Sequence, residues 1–323
     1  MQDTRYAFPV ASIRVKESSL FDQAELEQLI SVPTFDAGLA FLSEHGWDIP
    51  AGKPDSNRIL RNELIRAWDF LCEIAPDISL LYPLIIRKDF HNLKAGIKSS
   101  LSGFAVDTYF LSPTTIEYAT LIDAITQRHF INLPEPFASV AEEAYDVLAR
   151  TGDGQLADII IDQATQTHIL SLAKDTKQPL VLAMSELFCA SANIKAAFRA
   201  AKTEKNESFL RRALSECDTL DKNMLVSSAS RGIESLMSYL SSTIYEPGTA
   251  YLTTKPSDFE KWCDDQGVML LEKAKYLFFG PEPLIAYYFS KEAEIKNVRI
   301  ILAAKENHLS SDIIRSRLRR LYV

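Results

Sequence analysis

The stretch IIRKDFHNLKAGIKSS at residues 85–100 has two counterparts further along the chain, LFCASANIKAAFRAAK at 187–202 and KEAEIKNVRIILAAKE at 291–306. The three together decide the fold. Each contains an Asn, then a branched aliphatic residue, then a base; the residues are Asn92, Asn193 and Asn297, separated by 101 and 104 positions. At −6, −2, +1 and +5 from the Asn the first copy has Ile86, Phe90, Leu93 and Ile97. The second has Leu187, Ser191, Ile194 and Phe198, and the third Lys291, Ile295, Val298 and Leu302. Steps of 4, 3 and 4 put these positions on one face of an α-helix. Ser191 and Lys291 weaken that stripe, which predicts unequal packing of the copies. The Asn lies at the edge of the stripe, where its amide can tie the helix to a neighbouring backbone. Left half-buried without partners it would cost about 1–3 kcal/mol.

The repeat extends upstream. A helix beginning near Arg58 lies 34 residues before Asn92, and Asp158-Ile159-Ile160-Ile161 begins 35 before Asn193. Phe259-Glu260-Lys261-Trp262 sits 35 to 38 before Asn297, and Pro179-Leu180 and Pro283-Leu284 precede their Asn residues by 14 and 13. The first copy lacks that Pro-Leu pair in register. The copies divide the chain into units 1–101, 102–204 and 205–323, with pairing of the N- and C-terminal segments allowed in the first. A period near 100 exceeds the roughly 20–50 residues of solenoid repeats.

Between the copies the signals are helical. Ser18 and Ser19 open a stretch with Leu20, Phe21, Ala24, Leu26, Leu29 and Ile30, ending at Pro33. Thr34 caps the next, with Gly46 as its stop. Trp47 to Pro54 reads as a loop. Ser56 opens a helix carrying Ile59, Leu60, Leu64, Trp68 and Leu71, and Pro76 ends it. Ser112-Pro113 reads as a cap with Pro at the first helical position. Further helices are predicted from Pro136 to Gly152 and over 155–174, 179–202, 207–216, 228–243, 257–277, 283–304 and 311–321. Ala11 to Lys16 is the best strand candidate. The fold class is all-α.

Composition bounds the function. The 323 residues are 47% hydrophobic and 24% charged, ordinary for a globular protein. A chain of about 300 residues buries roughly 75% of its extended surface and needs no staples. The net charge of −8 argues against nonspecific nucleic-acid binding. It is uneven: −3 over residues 1–100, −6 over 101–201 and +1 over 202–323. Cys72, Cys189, Cys217 and Cys263 form no close pair, so they read as buried thiols in a reducing compartment. No signal-peptide core is present at the N-terminus, and no stretch approaches the ~20 apolar residues of a membrane span. The expected location is cytoplasmic, with membrane association through a partner.

No constellation for chemistry emerges. His45, His91, His129, His168 and His308 show no metal-ligand spacing. His91 and Asp89 fall on different helix faces. No phosphate-binding glycine motif and no nucleophile elbow occur. Glu142-Glu143 and Asp264-Asp265 belong on solvated helix surfaces. No catalytic, cofactor or metal residue is assigned. A helical repeat adaptor for some other complex is the alternative reading.

The segment LIIRKDFHNLKA (84–95) resembles the most characteristic stretch of the central-stalk C subunit of V/A-type (vacuolar/archaeal-type) ATPases, also called the d subunit. YAFPVASIRVKESSLFDQAELEQL (6–29) is similar to that family's N-terminal helix, and ASANIKAAFRAAK and EIKNVRIILAAKENHLSSDIIRSRLRRLYV also fit. The likeness covers essentially the whole chain. It implies three similar helical domains in a pseudo-threefold, funnel-shaped arrangement. It implies a non-catalytic rotor component, a monomer within its complex, whose partners are the central shaft and the membrane proteolipid ring. Torque would pass through it for proton or sodium transport, and the protein would lie peripherally on the cytoplasmic face of the membrane.

The C-terminus supplies a candidate contact. A helix over 311–321 would bury Ile314, Leu318 and Leu321 and place Arg315, Arg319 and Tyr322 on another face, with Arg317 and Arg320 at the flanks. Arg315, Arg319, Arg320 and Tyr322 are thus the expected partner surface, meeting acidic groups on the shaft or the ring.

Overall fold

A computed structural model describes residues 4–52, 55–102 and 110–323. Residues 53–54, at the end of the expected Trp47–Pro54 loop, lie outside the described set. The described residues are helical throughout, without a named strand. The first five α-helices are α1 (Ala7–Glu17), α2 (Gln23–Ser31), α3 (Phe35–Glu44), α4 (Ser56–Ile74) and α5 (Tyr82–Ser102). Then come α6 (Tyr118–Gln127), α7 (Phe137–Thr151), α8 (Gly154–Thr176), α9 (Pro179–Lys202) and α10 (Glu207–Ala213). The last six are α11 (Lys222–Ser230), α12 (Ile233–Leu240), α13 (Glu246–Thr254), α14 (Pro256–Leu271), α15 (Glu282–Glu306) and α16 (Ser311–Arg317).

Local signals explain most boundaries. Asp22, Thr34, Asp55, Asp153, Asn206 and Asp221 each accept a backbone N–H of the following helix, satisfying a donor that the first turn leaves open. Asp22 and Glu25 form a reciprocal capping box. Gly152 closes α7 with φ +69°, where a side chain would be strained.

Four expectations need correction. Ala11–Lys16 is helical, within α1, because Tyr6, Pro9, Val10 and Ile13 are all buried, and that spacing is a helical one. The helix expected over 228–243 is two, α11 and α12, broken at Gly232, whose φ of +110° no helix accommodates. No helix starts at Ser112-Pro113; the chain stays irregular until Tyr118. The thiols differ in burial: Cys189 is buried, Cys217 and Cys263 are intermediate, and Cys72 is exposed on α4.

By packing, the chain forms two compact units, residues 1–79 with 260–323, and residues 80–259. In the first, α15 is the central helix, and α1, α3, α4 and α16 pack against it. Tyr288 is fully buried there, edge-on to Trp68 at 5.6 Å, and Phe21 stacks on Trp47 at 6.1 Å. In the second unit α8 packs on α5, α7 and α9, while α9 packs on α10, α11 and α12. The Asn-bearing helices α5, α9 and α15 are thus core helices that pack against the segments following them in sequence or, for α15, against the start of the chain.

The helix α9 is, by length and composition, apolar enough to cross a membrane, contrary to the expectation that no stretch comes near. Half of its apolar window is buried among neighbouring helices, and it carries Glu186 and Asn193 in the core. The composition is that of a core helix.

His168 on α8 sits edge-on to Phe90 and Phe137, with ring centroids 6.1 and 6.2 Å away. Burial holds its pKa below the ordinary 6.5. Folding therefore favours the neutral ring, and this part of the stability is complete above the unfolded value and is lost as pH falls below it. In urea melts between about pH 7 and 5, wild type should lose stability more steeply than His168→Phe. The difference cannot exceed about 1.4 kcal/mol per pH unit for one proton. Identical slopes would show that His168 does not titrate with folding.

Candidate functional site

Each repeated Asn makes the same pair of bonds. Asn92 donates from Nδ2 to the Leu111 carbonyl at 2.9 Å and accepts the Leu111 N–H on Oδ1 at 2.8 Å. Asn193 does the same with Ser215, at 2.9 and 3.0 Å. Asn297 does so with Arg319, at 3.0 and 2.8 Å. A carboxamide presents a donor and an acceptor side by side, so it pairs with a single residue's N–H and C=O as another strand would. All three Asn residues are buried. The clasped residues lie 19, 22 and 22 positions downstream.

A second tie accompanies the first. In the first copy Asp89, three residues before the Asn, accepts Thr115 N–H, Thr115 Oγ1 and Ile116 N–H at 2.8–3.0 Å. Burial still pushes the Asp89 carboxyl above its usual range, against those bonds. In the second copy Glu186 takes that role, accepting Thr219 N–H at 2.6 Å and its hydroxyl at 2.9 Å. Thr115 and Thr219 each lie four residues after the clasped residue. In the third copy that position is Val323. Glu294, three residues before its Asn, instead accepts the N–H of Phe21 at 2.6 Å, from the start of the chain.

Phe21 is the counterpart of Ile116 and Leu220. Phe21-Asp22, Ile116-Glu117 and Leu220-Asp221 each pair a buried apolar residue with the acidic N-cap of the next helix. Leu26, Leu121 and Leu225 follow four residues after the cap and are buried. The third copy is therefore completed by the chain's beginning, and residues 1–79 form one compact unit with 260–323. Sequence reasoning missed this register, although Phe-Asp-x3-Leu, Ile-Glu-x3-Leu and Leu-Asp-x3-Leu were readable.

The stripe exceptions are absorbed differently. Ser191 is buried and bonds back to the Phe188 carbonyl at 2.9 Å. Lys291 is buried between two carboxylates, Glu63 at 2.8 Å and Glu294 at 2.5 Å, with its ammonium 5.1 Å from the centre of the Trp47 ring. Burial works to lower the Lys291 pKa, but the two carboxylates outweigh it and hold it raised. Arg66 closes the row with Glu63 at 2.6 Å.

The C-terminal residues do not form the expected helical face. α16 stops at Arg317, Leu318 is extended, and the residues after it are not helical. The Arg319 peptide is already engaged by Asn297, so it is withheld from a helical ladder. Arg319 is mostly buried, with Nε 3.0 Å from Asp264. Tyr322 is buried near Arg14 and Glu17, and burial pushes its phenol up. Arg315 pairs with Glu27 at 3.0 Å and Arg320 with Glu272 at 2.5 Å, each about half exposed.

Reactive chemistry is not assembled among the described residues. No group of three potential ligands converges. Burial pushes the Cys217 thiol up to about 11, and Cys189 higher still, which favours the protonated thiol over the nucleophilic thiolate. The repeated feature is a set of helix-to-segment ties, which position backbone.

Asn193→Leu should leave the buried Ser215 N–H and C=O without partners. The expected loss is about 1–3 kcal/mol, read as a lower urea midpoint at unchanged slope, with Asn92→Leu behaving alike. Midpoints equal to wild type would remove the structural role.

The model of the ATP synthase (C/AC39) subunit family matches residues 9–317, and the chain belongs to that family. A relative from Enterococcus hirae, the C subunit of its V-type sodium ATPase, is 24% identical, with the match covering 96% of this chain and 97% of that protein.

Proposed function

We propose that this chain is a non-catalytic rotor component of a V/A-type ATPase or ATP synthase. It links the central shaft to the membrane proteolipid ring and transmits torque for proton or sodium transport. The observation that carries this reading is the near end-to-end match to a protein named as the C subunit of such an ATPase, within a family match of the same extent. The mechanical demand agrees with the ties described above. A torque-bearing part must resist sliding of its helices, and each core helix is bonded to the peptide of a segment about 20 residues on. On this reading the chain is three copies of one helical unit, bounded near residues 101 and 204. It acts as a monomer within the complex, peripheral on the cytoplasmic face, and carries no cofactor.

The basic tail divides in two. Arg319 and Tyr322 hold the terminus in place, while the half-exposed Arg315 and Arg320 are the part offered to an acidic partner surface.

The protein should co-purify with proteolipid and catalytic subunits from detergent-solubilised membranes. Recovery of the chain alone in the soluble fraction would overturn the reading. Replacing Arg315 and Arg320 by Ser should weaken reassembly with the membrane sector at low salt. The difference should shrink as salt screens exposed charges over about 10 Å at 0.1 M. Equal association at every salt concentration would remove the tail as a contact.

A further inference from the structure

The copies are not alike in how the helix before each Asn helix is joined to it. α8 and α9 are separated by Lys177 and Gln178 alone and α4 and α5 by residues 75–81, none of them aromatic, whereas α14 and α15 are separated by residues 272–281. This longer connection contains Lys273-Ala274-Lys275-Tyr276-Leu277-Phe278-Phe279. Tyr276 is 77% exposed and Phe278 75%. Two aromatic rings held in water on one short arc are not explained by the fold, since neither contributes to the core.

The arc is tied to α1 and to the end of the chain. Ala274 is buried, and Arg14 of α1 donates to the carbonyls of Ala274 at 2.7 Å and Leu277 at 2.8 Å. Lys275 lies over the Tyr322 ring at 4.8 Å. The helix that supplies Arg14 itself shows an unpartnered apolar face: Phe8 is 71% exposed and Val15 72%, with exposed Ala11 between them at helical spacing.

The charge at these segments runs against the whole chain. The net charge of the protein is −8, but residues 4–17 and 272–280 carry Arg5, Arg14, Lys16, Lys273 and Lys275 against Glu17 and Glu272. Both acids are ion-paired, Glu17 with Arg14 at 2.6 Å and Glu272 with Arg320 at 2.5 Å. Exposed aromatic rings beside lysines and an apolar helix face flanked by bases match the water–lipid interface of an anionic bilayer. Rings with a polar edge settle at headgroup depth, and cations gain from the negative surface.

We propose that the Tyr276–Phe278 arc and the exposed face of α1 form a contact with the headgroup region of an anionic lipid bilayer. This rests on the proposed seat beside a membrane-embedded ring only for its setting, because lipid vesicles contain no ring. The test uses the full chain with vesicles of phosphatidylcholine, with and without phosphatidylglycerol, in a flotation assay. Wild type should float with the anionic vesicles, less with neutral ones, and less at high salt. Lys273→Gln with Lys275→Gln should weaken anionic binding by about thirtyfold, two charges at about 1 kcal/mol each. Tyr276→Ser with Phe278→Ser, at exposed positions, should weaken binding to both vesicle types while leaving the circular dichroism and urea midpoint unchanged. Absence of wild-type flotation at low salt overturns the proposal, as does binding equal to wild type by both double variants. If flotation is absent but the aromatic variant fails to co-purify with proteolipid subunits in detergent, the arc is a protein contact and the lipid assignment is wrong. Failure of vesicle binding alone leaves the rotor reading standing, and loss of co-purification by wild type leaves the lipid contact standing.

Discussion

The pairing of an Asn carboxamide with one residue's N–H and C=O is the interaction on which the rest of this structure depends. Each core helix is apolar on one face and must be covered by segments that are not regular where they cross it. An irregular segment over a core exposes peptide groups that neither a helix nor water can satisfy. The Asn supplies both partners from within the core helix, so the segment can cross, turn and start the next helix at an acidic cap. Asp89 and Glu186 extend the same solution by receiving Thr115 and Thr219. Replacing the Asn with Ile or Leu would fill the space as well, but would leave two buried polar groups open.

The third copy shows what changes when the covering segment is not covalently continuous. α15 is covered partly by the chain's end, through Arg319, and partly by its beginning, through Phe21. Glu294 reaches Phe21 from a buried site, where an unpaired charge is costly; Lys291 lies between it and Glu63, and Arg66 pairs Glu63 in turn. Such a cluster adds little net stability relative to apolar residues, yet breaking it by removing one member costs about 3–5 kcal/mol. Its position ties the N-terminal segment to α15 at Phe21. Lys305 acts in the same direction, donating from its buried side chain to the Ile30 carbonyl at 2.9 Å and to that of Val32, at the end of α2. The residue that looks like a defect in the stripe, Lys291, is thus part of how two distant chain ends are brought into one unit.

Much of this was legible in the sequence. The spacing of Asn92, Asn193 and Asn297 and their apolar neighbours located the three core helices, and α9 ends at the residues expected. Caps at Thr34 and the stop at Gly152 were readable because they are local. The misreadings share a cause. Ser112-Pro113 has the local grammar of a helix start, and 311–321 has a helical stripe, but in both places the backbone is claimed by a carboxamide or carboxylate from a helix about 20 residues earlier. Local propensity is a weak prior against a buried, bidentate tertiary bond. Ala11–Lys16 failed for a different reason: its alternation is real over six residues, and only the wider frame from Tyr6 to Ile13 reveals the helical period. The basic tail was found by composition, but its non-helical course separates Arg319 and Tyr322 from Arg315 and Arg320.

A repeated architecture also separates what the fold requires from what it does not. The clasp, the acidic tie and the capped helix after it recur because each copy faces the same problem of unsatisfied backbone. Features present in one copy alone cannot be explained that way. The arc at Tyr276–Phe278 is one: the equivalent connections are residues 75–81 between α4 and α5 and two residues between α8 and α9, and neither carries an aromatic ring. The arc keeps two large rings in water and is braced at two carbonyls by Arg14. Bracing an exposed apolar surface brings no stability to the protein in isolation, since water gains nothing from a ring held still. It does lower the entropy lost when that surface is covered. Exposure and bracing by Arg14 are therefore what the proposed outside contact rests on.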